Sequence, residues 1–366
     1  MTAAPAPDLG TIAGNLEALL LRRPLADVRP TPSRLVYRGP QRTVLRYTTG
    51  RGAPRSQGNP VLLVPPLAAP AICFDLRRGC SLAEFLVGSG HRTYLVDYGP
   101  ISFADRSLGI EHWIEAVIPD AIRAVSEDAA GRPVHLVGWS LGGVMALLVA
   151  ADEPRRPIAS VTMVATPFDV SQVPLMAPLR PLLNLPGGGF GLTFAYRALG
   201  GAPAMLVQRA YELVALEKYV TKPLAIARNI DDRDYLAQLE AVDRFMGSML
   251  AYPGRTFGQL FHRMIRGNEL ARGQFDVGGR TVRVADVRAP VLSVAGRDDG
   301  IAPKAAVYHI AKLLPDVELA TAPGGHLGVL TGRAARGTTW RTIDDFMRRN
   351  DRVRRPAGRR SKPKAG

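Results

Sequence analysis

Cysteine is nearly absent: the 366 residues contain two, Cys73 and Cys80. That excludes a disulfide framework and a cysteine-rich metal site. No apolar run reads as a membrane span, because the most hydrophobic stretch is broken by His135, Ser140 and the glycines 138, 142 and 143. The opening Met-Thr-Ala-Ala-Pro-Ala-Pro has no basic segment leading into an apolar core. No secretory signal is therefore read, and a soluble cytoplasmic protein is expected. Acidic residues are in deficit, 32 against 47 Lys and Arg, for a net charge of +15. The excess is uneven. From Arg348 onward nine Lys and Arg face one Asp, which leaves +7 for the first 347 residues.

What is present begins with a body that is 46% hydrophobic, enough for a large core. Buried strand-like runs at Asn59–Ala69 (ending in a proline-stiffened loop), Tyr94–Gly99, Val134–Val137 and Ser160–Thr166 alternate with helical segments, and another follows at Pro290–Gly296. This pattern predicts an α/β fold, a mostly parallel sheet covered by helices on both faces. Residues 1–55 read as a separate N-terminal extension, with an amphipathic helix (Leu9, Ile12, Leu16, Leu19, Leu20) and strands near 34–37 and 42–47. Residues 56–168 and 283–350 form the two parts of the core, and 351–366 is a basic, disordered tail. Between the two parts, 169–282 lacks strand runs and reads as an inserted helical cap. It carries Pro174, Pro178, Pro181, Pro186, a loop at Gly187–Gly189, and the side chains of Phe190, Phe194, Tyr196, Met205, Tyr211, Phe245, Met246 and Met249. Those large apolar residues suit either ordinary cap packing or the wall of an acyl-chain channel. The tail suits either an anionic surface (nucleic acid or lipid headgroups) or a role in solubility alone.

The chemistry centres on Gly138-Trp-Ser140-Leu-Gly142-Gly143, set between a buried strand and an apolar helix. G-x-S-x-G in this context predicts a nucleophile elbow, with Ser140 on a strained turn. The Leu141 amide, at the helix N-terminus, would stabilise a developing oxyanion. The loop after the Val61 strand supplies the second amide; Pro65 and Pro66 lack N–H, so Leu67 or Ala68 is the donor. A serine needs a base, and the base needs an acid. In the α/β-hydrolase arrangement these follow in the order Ser, Asp or Glu, His. Asp298 and Asp299 lie in a turn after the Pro290 strand, and His326 lies in Gly324-Gly-His-Leu-Gly328. Either aspartate could equally cap its turn. Of the six histidines His326 alone has the position; His135, within the elbow strand, reads as a core residue. No cofactor and no metal is called for.

Four segments resemble the polyhydroxyalkanoate synthases, a branch of the α/β-hydrolases: Tyr94–Gly99, Gly138–Gly143, Val161–Asp169 and Asn268–Gly279. The resemblance spans about residues 60–340. It implies the α/β-hydrolase fold and a triad at residues 140, 299 and 326, which favours Asp299 over Asp298. The family's nucleophile is cysteine; here it is Ser140, and Gly300 stands where the family typically carries histidine. A thioester keeps a growing chain close in energy to acyl-CoA, whereas a serine oxyester lies lower and goes to water or one alcohol. The leading expectation is a serine hydrolase of long-chain or hydroxyacyl esters, with a lipid or polyester inclusion as a candidate surface of action. The alternatives are a synthase-like acyltransferase using (hydroxy)acyl-CoA and a non-catalytic binding protein of inclusion surfaces.

Overall fold

The computed structural model describes residues 9–48, 58–174, 190–214 and 216–351. Pro178, Pro181, Pro186, the Gly187–Gly189 loop and the basic tail beyond Asp351 lie outside the described residues. The main-sheet strands are β1 (Ser33–Gly39), β2 (Arg42–Tyr47), β3 (Val61–Val64), β4 (Thr93–Asp97), β5 (Val134–Trp139), β6 (Ile158–Val164), β7 (Val291–Gly296) and β8 (Glu318–Ala322). They are ordered β1-β2-β4-β3-β5-β6-β7-β8. Strands β4 through β8, with β3 among them, are parallel, and β1 and β2 join antiparallel at one edge. The longer helices are α1 (Leu9–Leu20), α2 (Leu82–Gly88), α3 (Ile118–Asp128), α4 (Leu141–Asp152), α5 (Phe190–Ala198), α6 (Ala204–Val214), α7 (Leu216–Arg228), α8 (Arg233–Met246) and α9 (Thr339–Asp351). Among the described residues no helix is long and apolar enough to cross a membrane.

The central strands are apolar on both faces because both faces are covered. Leu62, Val64 and Leu136 pack with Ile118, Ile122 and Met145 of α3 and α4. Val61, Leu63 and Val137 point the other way, onto Leu82 and Leu86 of α2 and Trp340 and Phe346 of α9. His135 is fully buried in β5, with Nδ1 2.7 Å from Ser160 Oγ and Nε2 3.3 Å from Asp351 Oδ1, the satisfied core histidine its position implies.

The structure departs from the sequence reading at three places. Within the N-terminal extension, residues 33–47 join the main sheet: β2 pairs with β4 through Thr43–Asp97 to Arg46–Tyr94, and Val44 is in the core. Backbone pairing at the open sheet edge carries this, a force that hydrophobic pattern alone does not reveal. Helix α1 buries Asn15 and Ala18, while Leu9, Leu16, Leu19 and Leu20 are exposed. Asn15 Nδ2 donates to the Ile230 carbonyl at 2.8 Å, and Arg233 donates to Asn15 Oδ1 at 3.3 Å, so hydrogen bonding chose the inner face. The third departure concerns the hairpin Gln274–Val277 with Arg280–Arg283, which lies against α4 rather than in a cap above the sheet. Arg280 grips Asp152 Oδ1 at 2.5 Å and Glu115 Oε1 at 2.6 Å. Asp152 ends α4, about 16 Å from its start at the elbow, so this hairpin closes the opposite end of the helix.

The hairpin is reached through Asn268, which has left-handed backbone (φ 49, ψ 40). Its Nδ2 donates to Asp169 Oδ1 at 2.8 Å and its Oδ1 accepts from the Val170 amide at 2.9 Å. Two of the four resembling segments are thus pinned together after β6. Burial opposes the charge on Asp169, but hydrogen bonds from Ser171 and Asn268 outweigh it and hold the carboxyl at about 2. A depressed carboxyl stabilises the fold above its ordinary 3.8, and that contribution is lost as pH falls toward 2. Asn268→Ala is expected to cost about 2 kcal/mol near neutrality and to flatten this acid-side loss, as measured by urea titrations at pH values on both sides of the window.

Candidate active site

Ser140 follows β5 and precedes α4, with φ 52 and ψ −123. A non-glycine residue held there is strained, and the surroundings must enforce it. A Cβ at Gly138 would come within 2.5 Å of the Gly142 carbonyl oxygen. One at Gly142 would collide with the Val64 carbonyl and lie 2.8 Å from that of Pro65. Only glycine lets helix, strand and the loop after β3 approach so closely. Ser140 N donates to Val164 O at 2.9 Å, and Thr166 Oγ1 donates to Ser140 O at 3.1 Å, which ties the turn to β6.

The close approach at Gly142 sets the Pro65–Ala68 loop beside the start of α4. Leu141 is the first residue of that helix, so its amide has no acceptor within the helix. Leu67 and Ala68 are buried, Ala68 with φ 63. The loop is fixed by Tyr98 Oη donating to Pro65 O at 3.0 Å and by the Leu250 amide donating to Ala68 O at 2.8 Å.

His326 brings the remaining groups together. Its Nε2 lies 3.0 Å from Ser140 Oγ and its Nδ1 2.9 Å from Asp299 Oδ2. Asp299 sits after β7 and is 5% exposed; its Oδ1 accepts from the amides of Ile301 and Ala302, both at 2.8 Å. Turn-capping and imidazole-holding are therefore divided between its two oxygens. Asp298 is exposed, and its amide donates to Gly324 O at 3.1 Å. With Asp299 accepting Nδ1–H, the network assigns the Nε2 lone pair to the serine hydroxyl. His91 is bound to Asp344, His309 to the Ala271 carbonyl, and His262 approaches Tyr196. Among the described residues no group of three His, Cys, Asp or Glu could hold a metal ion.

Residues 59–333 match the family described as the alpha/beta hydrolase fold. The chain belongs to the alpha/beta hydrolases. It is an enzyme of that superfamily, within which its relatives are polymerases. The poly(3-hydroxyalkanoate) polymerase subunit PhaC of Allochromatium vinosum is 26% identical over 334 residues, 87% of this chain and 89% of that one. For PhaC of Haloferax mediterranei the identity is 22%, over 88% of this chain and 64% of the relative. PhaC of Cupriavidus necator is 27% identical over 73% of this chain, which spans 46% of its length. Among solved structures, BpoC from Mycobacterium tuberculosis H37Rv superposes with a TM-score of 0.50 at 16% identity, over 81% of this chain and 94% of its own. That likeness is one of fold.

Beside His326 this alpha/beta hydrolase has a cavity of about 350 Å³, walled by Trp139, Leu239, Phe245, Met246, Met249 and Leu327 among others. Three of the large residues singled out in the cap segment, Phe245, Met246 and Met249, thus face the candidate site. Phe194 and Met205 do not; they are 67% and 71% exposed. Tyr196 packs instead against Phe257. The side chains of Phe190 and Tyr211 lie outside the described residues.

Trp139 is the contributor that sequence reasoning missed. Its Nε1 donates to the His326 carbonyl at 3.0 Å, and its ring lies 5.2 Å from the imidazole. A buried indole N–H needs an acceptor, which was the available signal. Trp139→Phe keeps an aromatic ring, smaller than the indole, and removes the donor. It is expected to lower kcat about ten- to a hundredfold by loosening the imidazole, with the melting temperature little changed; stopped-flow ester hydrolysis and calorimetry check this.

Proposed function

We propose that this protein is a serine acyl-ester hydrolase that works through an acyl-enzyme on Ser140. The observation that carries the reading is the unbroken chain Ser140 Oγ–His326–Asp299 at 3.0 and 2.9 Å, opening on an apolar cavity. His326 Nε2 takes the hydroxyl proton as Ser140 Oγ attacks the ester carbonyl. Asp299 stabilises the imidazolium through Nδ1–H. The oxyanion is received by the Leu141 amide and by that of Leu67 or Ala68, where each donor contributes about 3 kcal/mol to the transition state. His326 then protonates the departing alcohol, and the same base activates water to release the acid. The apolar wall favours long-chain or hydroxyacyl groups over short polar ones.

A second reading, acyl transfer from (hydroxy)acyl-CoA including polyester synthesis, is supported by the relatives, which are named as poly(3-hydroxyalkanoate) polymerases. Both readings use the same acyl-enzyme and differ in what attacks it. Action at a lipid or polyester inclusion belongs to either. A purely non-catalytic binding role fits poorly with an assembled triad.

Ser140→Ala and His326→Ala are expected to lower kcat on acyl esters by about four to six orders of magnitude with the fold intact. Asp299→Asn should cost about 10⁴-fold. A fluorophosphonate should label wild type at Ser140. Wild type supplied with 3-hydroxyacyl-CoA should yield free acid without polymer. Polymer from the wild type would move the conclusion to the synthase reading, and undiminished hydrolysis by Ser140→Ala would end both.

A further inference from the structure

The cavity at His326 is not closed by apolar side chains alone. Part of its wall is Leu239, Lys222 and Asp243. The same three residues line a second cavity of about 340 Å³, bounded by α1, α7 and α8. Lys222 Nζ and Asp243 Oδ2 form an ion pair at this shared wall. Beyond it, Ala18, Leu19, Leu25, Ile226 and Leu236 line the second cavity. Of its other charged lining residues, Arg22 is exposed, Glu240 is engaged by the amides of Leu25 and Ala26 at 2.7 and 3.2 Å, and Arg23 by Glu17 at 2.8 Å. What the second cavity offers a ligand is therefore mostly hydrocarbon.

We propose that the groove under α1 is a distal subsite for the end of a long aliphatic acyl chain, divided from the Ser140 cavity by the Lys222–Asp243 pair. The proposal rests on the reading of that cavity as the acyl site. The partition suits a movable wall. Its side chains are 28% and 41% exposed, and pairs so accessible to water hold together weakly. The methylene stem of Lys222 can lie along an acyl chain while its ammonium swings to solvent. Chains that stop short of the pair occupy one cavity, and longer ones must displace it to gain the second. One of the outward-facing leucines of α1 finds a reason here too: Leu19 lines the groove beside the buried Ala18.

The test measures binding apart from turnover. Saturated fatty acids of graded length displace a fluorescent fatty acid from Ser140→Ala protein. Affinity is expected to rise about three- to fourfold per methylene while chains fill the first cavity, to level off where the Lys222–Asp243 pair must be displaced, and to rise again as the chain end enters the groove under α1. Lys222→Ala with Asp243→Ala should move that break to longer chains, and Leu239→Trp should move it to shorter ones. The same shifts should appear in kcat/KM for esters of graded length in the Ser140 background. A break unmoved in the double variant overturns the proposal; if that variant does not fold, an unmoved break in Leu239→Trp overturns it. Ester hydrolysis that persists in Ser140→Ala would sink the serine mechanism but leave the binding result standing, so the two failures are distinct.

Discussion

The structure depends on one close approach, that of α4 to the carboxyl ends of β5 and β3. Ser140 is held at φ 52 because the helix starts where an ordinary turn would not allow it, with Gly138 and Gly142 at the contact. Such backbone strain costs about 1–3 kcal/mol and persists only when packing over-determines it. Here the packing is that of α4, in which every residue from Leu141 to Ala151 is buried. A helix apolar all round must be covered on every side. The sheet covers one side, and the Arg280 hairpin, gripping Asp152 at the far end, covers another. Nucleophile presentation and the remote hairpin are therefore parts of one packing problem.

That linkage explains what was legible in the sequence and what was not. The strands β3 to β7 and the elbow could be read because each is a local pattern: a short apolar run, then glycines at fixed spacing. That Asp299 and His326 come near Ser140 could be anticipated because chain order and flanking glycines place them after successive strands. The placement of β1 and β2 could not, because edge pairing is backbone chemistry that leaves little trace in residue type. Helix α1 was misread for a related reason. A single Asn15 bonded to Ile230 outweighed four leucines that hydrophobic periodicity would have buried.

The Asn268–Gly279 segment is instructive in another way. It carried much of the resemblance to the synthases, yet it lies at neither the nucleophile nor its base. Asn268 adopts the left-handed conformation that Asn tolerates better than most residues, and spends both side-chain polar groups on the Asp169–Val170 turn. Its specificity is that of a structural clasp between the strand after the elbow helix and the hairpin that covers that helix. Residues can mark a family through such a fastening as clearly as through chemistry.

The same reasoning applies to His326, the base of the proposed mechanism. In this fold the acid and the histidine arrive from strands beyond β6, so their distance to Ser140 is set across several strands of sheet. Small errors in twist would accumulate over that span. Trp139, the residue immediately before the nucleophile, donates its indole N–H to the carbonyl of His326 itself. This bond measures the base against the nucleophile's own strand and bypasses the intervening sheet. In that mechanism Asp299 would have only to fix rotation and tautomer of the imidazole, with one oxygen on Nδ1 while the other accepts from its own turn. Of these contacts only the one to Nε2 is made by the residue-140 side chain. On the proposed mechanism, hydrolysis and chain transfer would share this arrangement and would differ in the energy of the acyl linkage and in what the cavity admits.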